Sequence, residues 1–167
     1  ACRSLTRAEA AKADIVAALT ASQIPSDRYA IHTMELDLSD LASVQTFAAA
    51  FQKQYTQLHV LVNNAGAHFT TYQETTQGHD ITFGTNHLGG FYLTNLLLPL
   101  LIQSQPARIV NLSSAAHQIK RFDLGTLTLK RTPGEGYGFF GSWVVYGHSK
   151  SCNILHATQL AARLKQQ

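Results

Sequence analysis

Two cysteines in 167 residues, Cys2 and Cys152, exclude a disulfide-stapled scaffold and give no sign of an oxidising compartment. Charge is sparse too: Asp, Glu, Lys and Arg make up 14%, with 13 basic against 10 acidic residues for a formal +3. No basic block is longer than a pair, so the clustered stripe that nucleic acid requires is missing and no nucleic-acid partner is expected. Proline is scarce, at 4 residues, and no repeat or low-complexity tract interrupts the chain, which excludes collagen-like and disordered polymers. The longest apolar stretch, residues 91–102, is broken by Thr94, Asn95 and Pro99 and is too short to span a bilayer. No secretory signal opens the sequence, so the expected location is cytoplasmic, with peripheral membrane association still compatible. What remains is a 45% hydrophobic α/β composition sized for one domain.

The apolar spacing predicts a helix over residues 5–20, with Ala8, Ala11, Ile15, Ala18 and Leu19 on one side. A second is predicted over 41–55, capped by Ser39, with Val44, Phe47, Ala48 and Phe51 as its core stripe. Between them, residues 29–36 alternate apolar and polar as a strand does. Residues 59–63 and 107–112 are short apolar runs that read as buried parallel strands. A long helix is expected over 76–103 and a last one over 146–165, the latter with Leu155, Leu160 and Leu164 at helical spacing. Residues 113–145 read as irregular. Strands alternating with helices argue for a doubly wound parallel sheet.

Tyr146 and Lys150, in YGHSK at 146–150, open the last helix on one face, about one turn apart. A phenol of ordinary pKa near ~10 seldom ionises at neutral pH, and a neighbouring ammonium favours the phenolate. Such a pair gives or takes a proton at a carbonyl or alcohol oxygen, although the same spacing also describes an exposed Tyr and a solvated Lys. Ser113 and Ser114 follow the strand at 107–112, at the carboxyl end where doubly wound sheets bind ligands. A hydroxyl there either bonds a reacting oxygen or serves ordinary loop chemistry. In NNAG at 63–66, Gly66 either lets backbone approach a ligand or marks a plain turn. Asn86 lies inside a long helix, where Asn is a poor helix former and is either functional or a buried, bonded amide. Asp37 either binds a ligand's donors or caps a turn. His148, Cys152 and His156 fall at i, i+4 and i+8, but the outer two are about 12 Å apart along a helix, so no metal site is expected. Cys152 reads as a small buried hydrophobe.

The set NNAG (63–66), TNHLGGF (85–91), RIVNLSS (108–114) and YGHSK (146–150) resembles the short-chain dehydrogenase/reductase family. ACR at 1–3, ELDLSDLASV at 35–44 and ARIVNLSSAAH at 107–117 are similar to its retinol dehydrogenase-like and WW-domain oxidoreductase-like branch. The motifs run in family order over essentially the whole chain. The resemblance implies a Rossmann-type domain over 1–167 and hydride transfer between NADP(H) and an apolar alcohol or carbonyl, retinoid-, steroid- or lipid-aldehyde-like. It makes Tyr146 the catalytic acid/base and gives Lys150 the task of easing its ionisation and holding the nicotinamide ribose. Ser114 would orient the substrate oxygen, and Asn86 would anchor a proton-relay water. Asp37 and Leu38 match the adenine-contacting pair; Asn64, Ala65 and Gly66 match the cofactor-side loop. Cys2 stands where NAD-preferring members carry an acid, and Arg3 follows it, which favours NADP with NAD as the other choice.

The family's opening strand and G-x-x-x-G-x-G turn are missing, and the sequence stops at the Tyr-Lys helix. In a sheet ordered 3-2-1-4-5-6, the segment at 29–36 would then lack the strands separating it from 59–63. The expectation is a central portion of the fold, lacking its first strand and last two strands and binding dinucleotide poorly alone. A competing reading is an inactive interaction or regulatory fragment, or a homodimer, paired through the helices at 76–103 and 146–165. The segment between Ser114 and Tyr146 carries Phe122, Leu124, Leu127, Leu129, Tyr137, Phe139, Phe140 and Trp143, an apolar lining suited to a hydrophobic substrate.

Overall fold

The computed structural model describes residues 1–138 and 140–165, in two compact units, Ala1–Asp37 and Leu38–Gln167. The first is built on α1 (Leu5–Ala21), started by Ser4, whose hydroxyl accepts from the Arg7 N–H. The expected strand at 29–36 does not form. The Cys2 N–H donates to the Met34 carbonyl and the Leu36 N–H to the Cys2 carbonyl, each at 3.1 Å, making one isolated parallel bridge between Cys2 and Glu35. The alternation holds only to Thr33: Tyr29, Ile31 and Thr33 are less exposed than Ala30 and His32, but it slips at Met34, which is half-buried beside the exposed Glu35. A strand, however, is a run of ladder bonds, and alternation alone supplies none. The apolar side of α1 is likewise only partly covered: Ala8 is buried but Ile15 is 49% exposed. A stripe that wide needs a full opposing layer.

In the second unit, α2 (Leu41–Gln54) is capped by Asp40 rather than Ser39. The Asp40 carboxylate accepts from the Ala42 N–H at 3.0 Å and the Gln77 side chain at 2.9 Å, and those bonds hold its pKa below the usual value. Val44 and Ala48 are buried, and the Phe47, Phe51 and Tyr55 rings run along the helix with centroids 6.0 and 4.7 Å apart. Strand β1 (Val60–Asn63) pairs in parallel with β2 (Arg108–Asn111), Val60 opposite Arg108 and Asn63 opposite Asn111. These strands are covered on one face rather than two. Val60 and Val62 are 55% and 53% exposed, whereas Leu61, Asn63, Ile109 and Asn111 are half-buried.

The helix expected from 76 starts at α3 (Ile81–Phe83), because Asp80 caps it: one carboxylate oxygen accepts from the Thr82 and Phe83 N–H groups at 2.8 and 3.1 Å. It then passes through one π-helical turn, Gly84–Leu88, into α4 (Gly89–Gln103). There the Gly89 N–H reaches back five residues to the Gly84 carbonyl. A Cβ on Gly89 would lie 2.3 Å from the Leu38 carbonyl oxygen, so the chain crosses there only as glycine. Leu93, Leu97, Leu100 and Leu101 of α4 are buried.

The stretch 113–145 is more ordered than expected. It holds a 3-10 turn (Ala115–Gln118), α5 (Leu124–Thr128) and an antiparallel bridge of Thr71 to Gly136. Helix α6 (Gly141–Leu164) begins at Gly141 rather than Tyr146, since Val145 joins a core of Tyr72, Phe83, Leu127, Tyr137 and Cys152. Leu155, one of the leucines at helical spacing, is 50% exposed. Leu97 is 1% exposed, so Leu97→Ala should lower stability by about 2–5 kcal/mol, while the exposed Ile102→Ala costs under about 1 kcal/mol. Urea midpoints of the two variants check this.

Candidate active site

Helix α6 presents Tyr146, Ser149, Lys150 and Asn153 on one face, because i, i+3, i+4 and i+7 lie one above the other. Lys150 is 4% exposed and its Nζ sits 5.6 Å from the Tyr146 ring centroid. Burial pushes the Lys150 ammonium pKa down. Its hydrogen-bonding neighbour is the Leu112 carbonyl oxygen, 3.4 Å from Nζ at the end of β2. The loop after β1 closes on the other side: a Cβ on Gly66 would stand 2.9 Å from Lys150 Nζ and 3.2 Å from Asn86 Oδ1. Gly66, Asn86 and Lys150 are therefore packed together, and any side chain at 66 would displace the ammonium.

Asn86 sits in the π-helical turn and is buried. Its Oδ1 accepts the Ala67 N–H at 2.7 Å, and its Nδ2 donates to the Ala67 carbonyl at 3.0 Å and to Ser149 Oγ at 3.1 Å. The carboxamide expected to anchor a water thus pins the loop that carries Gly66. Ser149 in turn donates to the Tyr146 carbonyl at 2.6 Å. Ser114 caps the 3-10 turn, its Oγ accepting the Ala116 N–H at 3.2 Å. Ser113, its neighbour, donates to the Lys150 carbonyl at 2.9 Å and so ties the end of β2 to α6. That contact needs a close crossing: a Cβ on Gly147 would meet the Ala116 carbonyl oxygen at 2.3 Å. Asn64, Ala65 and Gly66 are exposed along the loop. Leu38 lies against Gly89 in the same unit. Arg3, exposed, and Asp37 belong to the first unit.

Around Tyr146, His68 packs edge-on at 5.6 Å between centroids and Trp143 at 6.0 Å, with His68 and Trp143 4.4 Å apart. The loop residues expected to line a pocket divide. Leu127 and Tyr137 enter the core, whereas Phe122, Leu124, Leu129, Phe140 and Trp143 are exposed. Phe139 lies outside the described residues. Burial raises the Cys152 thiol to about 11, so it is inert at neutral pH. Sequence reasoning missed Ser149, Gly147 and Asn153. The first two lie inside YGHSK, where an i+3 count from Tyr146 and the small residue beside it were the available signals.

A family model described as short chain dehydrogenase matches residues 5–125. The chain is 41% identical over 165 residues to retinol dehydrogenase 12 of Mus musculus, covering 99% of this chain and 48% of that protein. It is 37% identical over 166 residues to the human WW domain-containing oxidoreductase, covering 98% and 38%. The chain thus spans about half the length of such relatives, or less. Among solved structures, an uncharacterised protein from Mycobacterium paratuberculosis aligns with a TM-score of 0.63 at 38% identity, over 80% of this chain and 44% of that one. A metagenomic short-chain oxidoreductase in complex with NADP aligns at 0.59 and 22% identity over 81% and 53%, a likeness of fold. The parallel β1–β2 pair and its helices are an incomplete version of that doubly wound, Rossmann-type α/β fold. Among the described residues no helix is long and apolar enough to cross a membrane, and no three His, Cys, Asp or Glu side chains gather for a metal ion.

Two outcomes test the site's construction. Gly147→Ala should force α6 away from the 3-10 turn and lower the thermal midpoint by several degrees, read by circular dichroism. Burial also holds the His87, His148 and His156 pKa values below the usual ~6.5. As pH falls through that value the unfolded chain binds protons that the folded chain refuses, so stability is full above it and declines toward acid. Urea midpoints at about pH 7.5 and pH 5.5 should show the decline, and His156→Gln should make it shallower.

Proposed function

Because the chain belongs to the short chain dehydrogenase family, we propose that it carries the proton-transfer site of a nicotinamide-dependent oxidoreductase acting on an apolar alcohol or carbonyl. The observation that carries this reading is Lys150, buried beside the Tyr146 ring with Gly66 and Asn86 packed around its ammonium. A cation held there stabilises negative charge developing on the Tyr146 oxygen, which makes Tyr146 the group that gives or takes the proton. Ser114 uses one lone pair on the Ala116 N–H and keeps its own proton to donate to a substrate oxygen. Asn86 contributes by holding the 64–67 loop against Lys150.

The residues present fit the nicotinamide end of a dinucleotide. Gly66 leaves room beside Lys150 that a Cβ would fill, and the backbone of Asn64, Ala65 and Gly66 is exposed along the loop. Lys150 and Tyr146 would hold the ribose there; Asp37 and Leu38 match the family's adenine-contacting pair in sequence, and Arg3 stands at the sequence position whose guanidinium favours NADP over NAD. The cofactor, when bound, supplies the hydride. Trp143 and His68 beside Tyr146 offer an aromatic surface for the reacting end of a substrate, in keeping with relatives named retinol dehydrogenase.

Tyr146→Phe should lower NADPH-dependent reduction of retinal by about 10²–10⁴-fold with folding intact. Unchanged turnover would remove Tyr146 from the chemistry. Arg3→Ala should raise the KM for NADPH more than that for NADH, and equal changes would take the 2′-phosphate away from Arg3.

A further inference from the structure

Asn153 lies two turns beyond Tyr146 on α6 and is 6% exposed. Its carboxamide makes three bonds. Nδ2 donates to the Asn86 carbonyl at 3.1 Å and to the Leu112 carbonyl at 3.0 Å, and Oδ1 pairs with His87 Nδ1 at 3.0 Å. Carbonyl oxygens only accept, so the amide can face only one way and Oδ1 is left to receive a proton. His87 therefore carries its hydrogen on Nδ1. Burial disfavours a charged ring there, in keeping with that neutral form.

The three partners belong to the segments that frame the site. Asn86 and His87 form part of the π-helical turn. Leu112 immediately precedes Ser113 and Ser114, and its carbonyl oxygen also faces Lys150 Nζ. One side chain thus fixes the distance from the π-helical turn to the end of β2, measured from the helix that holds Tyr146. We infer that Asn153 is a positioning residue of the reaction: it sets the spacing that keeps Asn86, Lys150 and Ser114 in one arrangement around Tyr146. The inference rests on the function proposed above, because Asn153 itself touches no reacting group.

Asn153→Asp keeps the size and the acceptor but removes both N–H donors, and Asn153→Ala removes all three bonds. In the purified protein, with the folded fraction followed by circular dichroism, each folded variant should lose at least about tenfold in kcat, since one net hydrogen bond is worth about that and each variant loses more than one. The KM for NADPH should change less than kcat, because no cofactor-binding side chain is replaced and only the placement of Lys150 is disturbed. Amide hydrogen exchange read by mass spectrometry should speed up over residues 84–90 and 112–114 and stay unchanged in α2. A folded variant with wild-type kcat overturns the inference, and so does unchanged exchange in those two segments whatever the turnover. If wild type itself turns over nothing, the proposed function falls, and the exchange measurement still decides whether Asn153 sets the spacing. If neither variant folds, Asn153 is a folding residue and the inference is wrong.

Discussion

An ammonium with almost no access to water is the constraint around which the second unit is arranged. Moving a charge out of water is expensive, and fixed dipoles near Lys150 offset only part of that. Among the described residues its neighbours are neutral: the Leu112 carbonyl oxygen, the Tyr146 ring and the bare backbone of Gly66. The lowered pKa is the thermodynamic trace of that burial. A buried cation beside a phenol costs stability, and perturbed groups of that kind cluster at functional sites, in keeping with the function proposed above.

Many of the surrounding polar groups are paired, whereas His68 Nε2, Thr82 Oγ1, Thr85 Oγ1 and His148 Nδ1 are buried without a hydrogen-bond partner. Ser113 bonds to the backbone of α6, Ser149 links Tyr146 to Asn86, and Asn63 donates across the strands to Asn111 at 2.7 Å and to Thr94 of α4 at 2.9 Å. Each bond is individually modest, yet an unmade one in this interior would cost the full desolvation of its group. Close backbone crossings at Gly89 and Gly147 bring these groups within reach, and small residues there matter more than propensity does.

Much of this was legible in the sequence where the signal is local and periodic. The helices at α1, α2, α4 and α6, the two parallel strands and the pairing of Tyr146 with Lys150 follow from spacing alone. The segment at 29–36 misled because alternation reports which side is covered, whereas a strand also requires a partner's backbone along its length. Asp40 displaced Ser39 as a cap because a neighbour in space, Gln77, supports its carboxylate. The early start of α6 depends on Val145 meeting Tyr72 and Leu127, residues distant in sequence. Asn153 lies outside the recognisable motif, and its importance comes from two carbonyls more than forty positions away.

The π-helical turn has a consequence for how this region tolerates insertions and deletions. Removing any one residue from Gly84–Leu88 would restore a regular helix and improve its local geometry. Because a π turn fits one extra residue into about the sweep of an α turn, the segments before and after it would keep nearly their present phase. Phe83 and the Asp80 cap would stay on the core together with Leu93 and Leu97. The irregular turn therefore stores one residue between two packing surfaces, and what a deletion there would lose is the aim of Asn86 and His87 rather than the contacts on either side.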